Sequence, residues 1–183
     1  MHGIVHSELR SFLVDRVGEH GWHELAAGAG IEDGAYRTTG TYPDEEITAL
    51  VLAYSRRSRR RLGDILEEFG QTMAGDLLDT YAAFVRPEWR ALDVIEHTEQ
   101  AMHRAVRLHD PDAAPPRLRV ERRGEDEVAV FYDSERRLCG FGVGVIRGIA
   151  ERYGEPVTIT QATCHHLGDP HCEIVVRRAG EPA

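Results

Sequence analysis

The segment Tyr132-Asp133-Ser134-Glu135-Arg136 combines residue types that could do chemistry. Read as the end of a strand, its i, i+2 and i+4 positions share one face, so Tyr132, Ser134 and Arg136 present three donors in one direction. A guanidinium is a planar fork matched to a carboxylate, and two hydroxyls beside it complete the acceptor positions of a dianion. The trio therefore suits a ligand with one or two carboxylates. Taken alone, the trio is more simply a polar sheet face on which Arg136 pairs with a surface Glu. His103 lies near the apolar residues Ile95, Met102 and Val106 of a helical pattern. A neutral imidazole on such a face is either a core histidine or a competent axial ligand for haem iron. His97 reads as a surface residue of the same helix, and His109 as a weaker alternative ligand in the loop that follows.

Cys139, Cys164 and Cys172 are too few and too unevenly spaced for a secreted disulfide framework, which leaves thiols or metal ligands. The stretch from Cys164 to Cys172 wraps a turn between two thiols. With Cys139 and an imidazole from His165, His166 or His171 it could form a tetrahedral sulfur and nitrogen site for zinc. Three reduced cysteines beside a His-rich turn are the alternative.

These groups must be positioned by helices first and a sheet second. Apolar residues near a 3.6 spacing predict a helix over 4–18 with Gly18 at its end, a short helix over 22–28, and a third from Pro43 to about Ser55. Further helices are expected over 58–69, ending at Gly70, and over 74–84 and 88–106. The proline-rich segment 109–117 cannot continue a helix. Alternating residues over 118–122 and 127–132 around Gly124-Glu125-Asp126 predict a hairpin, 138–152 a helix whose glycines permit close packing, and 156–163 and 172–176 two further strands. The order is helices followed by ββαββ, an α+β protein.

The 183 residues fit one domain, with 42% hydrophobic and 29% charged residues giving enough apolar content for a core. A formal charge of −9 disfavours nucleic acid and anionic lipid as partners, and the basic run around Arg56–Arg61 reads as a solvated helix end. No apolar run suits a membrane span and no signal segment opens the chain, so a cytoplasmic protein is expected.

Several motifs together resemble the haem-nitric oxide/oxygen-binding (H-NOX) domain family, the bacterial stand-alone type related to the sensor domain of soluble guanylate cyclase. They are the opening MHGIVHSEL, YPDEEI, FGQ, His103 with Pro115-Pro116-Arg117, and the Tyr-x-Ser-x-Arg segment. The resemblance covers nearly the whole chain, with a helical part at 1–60 and a haem-holding part at 61–183. It implies haem b with His103 as proximal ligand, its propionates held by Tyr132, Ser134 and Arg136. Pro116 would bend the porphyrin with Ile4 packing nearby, and Val145 would join the cofactor-binding set. Oxygen-binding members carry a distal tyrosine where this chain has Phe141, and Met73 occupies the other distal position. The resemblance thus implies a sensor of NO, binding CO as well, that does not hold O2 stably and signals by release of His103. It is not an enzyme, since Met73 and Phe141 offer no acid/base pair. Only RRAGEPA follows Val176, so a separate effector is expected, a histidine kinase or a cyclic-di-GMP enzyme. Some members bind zinc through three cysteines and a histidine placed where this chain has Gln161, which puts the fourth ligand in question. A haem-independent zinc/thiol redox-sensing module on the same fold is the competing reading.

Overall fold

The computed structural model describes residues 1–32, 36–109 and 114–180, with the side chain of His109 outside that description. The first helix, α1, spans Gly3–Gly28 and buries Leu9, Phe12 and Leu13 at helical spacing. Gly18 is non-helical at φ 73°, ψ 170°, so α1 is two helices joined across a kink at the glycine expected to end the first. Helix α2, Asp44–Ser58, carries Asp44, Glu45 and Glu46 in its first turn, where carboxylates meet the positive end of the helix dipole. It stops at Arg59, which adopts the left-handed conformation.

Helix α3 runs unbroken over Leu62–Thr80, so Gly70 does not end a helix as its residue type suggested. Gly70 instead serves packing against α6, Cys139–Arg152. A Cβ on Gly70 would fall 2.2 Å from the Phe141 carbonyl oxygen, and one on Gly144 would fall 1.9 Å from that of Glu67. Only hydrogen fits between these backbones.

Helix α4, Ala91–Thr98, passes into a π-helical turn, Glu99–His103, and then α5, Arg104–His109. The buried Glu155 caps this assembly, its Oε2 accepting from the Ala91 amide at 3.0 Å while Arg90 pairs with it at 2.7 Å. His97 does not stand free on the surface. It stacks on Trp89 at 4.5 Å and bonds through Nδ1 to the Asp93 carbonyl at 2.8 Å.

Strands β1 (Arg117–Arg122), β2 (Glu127–Asp133), β3 (Val157–Thr163) and β4 (Cys172–Arg178) form one antiparallel sheet ordered β1-β2-β4-β3. Val130 stands opposite Val120 and Ile174 in the ladder. One apolar core joins α1, α2 and α3, and a second joins α4 and α6 to the sheet. Among the described residues no helix is long and apolar enough to cross a membrane.

Candidate functional site

A cavity opens between the two cores, and within it the centre of a water-sized sphere can sweep about 220 Å³. Its lining is almost wholly apolar. Ile4 from α1, Met73 from α3, Phe141 and Val145 from α6, and Pro116 from the approach to β1 all contribute. His103, Tyr132 and Arg136 are among the few side chains with polar groups that line it.

The imidazole of His103 lies 3.0 Å through Nδ1 from Oε2 of Glu99, one turn earlier. A carboxylate can only accept at this distance, so Nδ1 carries the proton and Nε2 is the nitrogen available to a metal. The same carboxylate accepts from the Leu118 amide at 3.2 Å and from Arg107. Burial opposes ionisation of Glu99, but the hydrogen bonds from His103 and Arg107 outweigh it and hold the carboxyl below its ordinary range.

The clamp is built differently from a strand face. Strand β2 ends at Asp133, so Ser134 and Arg136 lie in the turn leading to α6, with the Ser134 side chain still hydrogen-bonded to Tyr132. Ser134 does not line the cavity, and its Oγ accepts from the Arg136 amide at 3.3 Å. The Tyr132 hydroxyl accepts from the Leu138 amide at 3.2 Å, and burial pushes its pKa up.

Arg136 donates through Nε to Asp44 at 2.5 Å and through a terminal nitrogen to the Ala114 carbonyl. Asp44 also meets the N-terminal ammonium at 2.8 Å. Burial works against the Asp44 carboxylate, yet these two cations hold it below its usual range. The partner of Arg136 is thus an aspartate of α2, and the guanidinium demonstrably takes a carboxylate at this place.

An apolar slot with the Nε2 of His103 on its wall and a carboxylate-binding guanidinium at its rim fits a haem. His103 would hold the iron, and Arg136 and Tyr132 the propionates.

The three thiols converge as well. Cys139, Cys164 and Cys172 are buried, their sulfur atoms lie within 4.8 Å of one another, and Cys139 and Cys164 are 3.9 Å apart. Burial, with the neighbouring thiols, pushes the Cys172 thiol up to about 12. Of the nearby imidazoles, His166 Nε2 lies 2.9 Å from the Arg137 carbonyl and His171 packs on Phe131, whereas His165 Nε2 is buried without a hydrogen bond, 3.6 Å from Asp133. Gln161 is exposed on β3.

Sequence reasoning missed Glu99, although a carboxylate four residues before a histidine is a readable helical pair. It also missed Asp44, whose partner is distant in the chain, and Tyr81 and Thr98, which bring hydroxyls to the lining. Thr98 Oγ1 donates to the Val94 carbonyl at 2.8 Å.

The fold is an α+β domain whose cavity has the lining a haem would need. The family model described as Haem-NO-binding matches residues 2–161, and the chain belongs to that family. An H-NOX protein from S. oneidensis in the Fe(II)NO ligation state is 23% identical with a TM-score of 0.92, covering 98% of this chain and 100% of that one. The Fe(II) unliganded H-NOX protein from K. algicida is 21% identical with a TM-score of 0.90, covering 100% and 99%. The NMR structure of an H-NOX domain from Shewanella oneidensis in the Fe(II)CO ligation state is 23% identical with a TM-score of 0.87, covering 99% and 100%. A search of curated proteins finds no match.

Proposed function

We propose that this chain is a gas sensor rather than an enzyme. With haem b held by His103 it binds NO, and CO, at ferrous iron, does not hold O2 stably, and signals to a separate effector protein when His103 is released. The observation that carries this reading is the apolar cavity, where the His103 imidazole, oriented by Glu99, stands beside side chains such as Ile4, Met73 and Phe141. Relatives solved with Fe(II)NO and Fe(II)CO support the choice of gases. Bound haem supplies a ferrous iron with an open coordination position. His103 anchors it, Arg136 and Tyr132 orient it through its carboxylates, and Pro116 and Ile4 shape the slot around it. Met73 and Phe141 keep the slot dry and bring no hydrogen-bond donor, which polarised O2 needs and NO does not. The effector is a histidine kinase or a cyclic-di-GMP enzyme, and the setting is the cytoplasm.

Spectra of the ferrous protein test the reading. NO and CO are expected to shift the Soret band, and air to leave no split visible bands. Tyr81→Phe is expected to behave identically in air. Persistent split bands would overturn the oxygen statement, and a spectrum indifferent to NO would overturn the sensor.

The thiol cluster favours a second element, a zinc site formed by Cys139, Cys164 and Cys172 with its fourth position open or filled by His165, His166 or His171. It also keeps a haem-independent zinc/thiol redox module in contention. Metal analysis of protein purified without chelator is expected to find close to an equivalent of zinc, and less than roughly a tenth of an equivalent removes the site.

A further inference from the structure

We propose that Glu99 is the positioning residue that sets the strength of the His103–iron bond, through the carboxylate–imidazole hydrogen bond built by the π-helical turn. This rests on the reading of His103 as the axial ligand. The pair closes at 3.0 Å within the turn Glu99–His103, the place where the helix changes its hydrogen-bond register. Neither partner is free to drift. Glu99 is tied to β1 by the Leu118 amide at 3.2 Å and to α5 by Arg107, and the side chains of Glu99 and His103 are only 25% and 17% exposed.

The consequence follows from charge. A carboxylate on Nδ1–H shifts negative charge onto the ring, making Nε2 a stronger donor to a metal. With haem bound, such a donor would favour ferric over ferrous iron and would hold the iron more tightly. Arg107 acts against this, because its cation shares the same carboxylate and draws charge away from the imidazole. Glu99 and Arg107 therefore set the bond between them, and with it the ease with which His103 lets go.

The test uses the haem-loaded protein, free of gas. Resonance Raman spectroscopy reads the iron–histidine stretch, redox titration the midpoint potential, and transfer to a haem scavenger the rate of haem loss. Glu99→Ala is expected to lower the stretching frequency, make the potential more positive and speed haem loss about tenfold or more. Glu99→Gln, which keeps an acceptor without the charge, falls between. Arg107→Ala moves frequency and potential in the opposite direction. Glu99 variants that lose haem faster while frequency and potential stay at wild-type values would reduce Glu99 to a structural prop and overturn the proposal. Should those variants fail to fold, Arg107→Ala decides, and an unmoved frequency there overturns it equally. A wild-type protein with no stretch that depends on His103 overturns the ligand assignment itself, a result distinct from both.

Discussion

Arg136 sits between two claims on its fork, the Asp44 carboxylate that it holds in this structure and the propionate it is proposed to hold. Arg136→Ala removes a charge-assisted donor from a largely apolar rim. It is expected to weaken haem retention on the order of 1.5 to 3 kcal/mol, read as a ratio of haem dissociation constants. Unchanged retention would place the propionates elsewhere. His6 is fully buried, with Nε2 3.1 Å from the Pro43 carbonyl and its other ring nitrogen without a hydrogen bond. Burial lowers its pKa despite the Pro43 bond and the Glu46 charge. The unfolded chain therefore takes up a proton near pH 6.5 that the folded chain refuses, and stability falls as pH drops below about 6.5. Urea midpoints at pH 7 and pH 5 check this: His6→Gln is expected to flatten the difference. A slope unchanged by the substitution would assign the acid sensitivity to other groups. At this scale the sequence exposed the residues whose type is itself the chemistry, namely His103, Tyr132 and Arg136. It hid Glu99 and Asp44, because a helical carboxylate looks alike whether it faces water or a histidine. It also made a surface residue of His97, whose place is set by the ring of Trp89.

Helix–helix contact between α3 and α6 depends on missing side chains. Gly144→Ala drives a methyl into the Glu67 carbonyl and is expected to cost at least about 2 kcal/mol, since backbone cannot yield as a flexible side chain does. Gly75→Ala, in the same α3 but with nothing within 4 Å of the added Cβ, is expected to stabilise by about 0.5 to 1 kcal/mol. Thermal melts of both separate packing from propensity, and equal effects of one sign would contradict the packing account. The two faces of glycine explain where elements were legible. Periodicity placed the four strands and the main helical segments but split α3 in two, because whether a glycine breaks a helix depends on its neighbours. Gly18 kinks one, while Gly70 lets another helix approach. The π-helical turn left no mark in the sequence, because a change of hydrogen-bond register alters no residue type. The strand face carrying Tyr132 was read correctly as far as Asp133, and the chain then turns, which period-two reasoning does not foresee.

The whole molecule is two apolar cores with a slot between them and a thiol cluster behind the clamp. Cys172 stands opposite Tyr132 in the β2–β4 ladder, and both belong to one small buried cluster with Cys139 and Cys164. Oxidising the thiols is therefore expected to release any bound zinc and to loosen haem as well. Haem retention after peroxide treatment measures that coupling, and retention unmoved while the thiols are consumed would show the two sites to be independent. The order of helices then sheet was legible from periodicity, whereas the convergence of three cysteines far apart in the chain required the fold. Haem uptake by His103→Gly with and without added imidazole measures the role of His103 most directly. The wild type is expected to retain haem and respond to NO, and the variant to lose haem unless imidazole fills the vacated space and restores the ferrous spectrum. A variant that keeps full haem content and a wild-type spectrum without imidazole would contradict the assignment of the ligand and the sensor mechanism built on it.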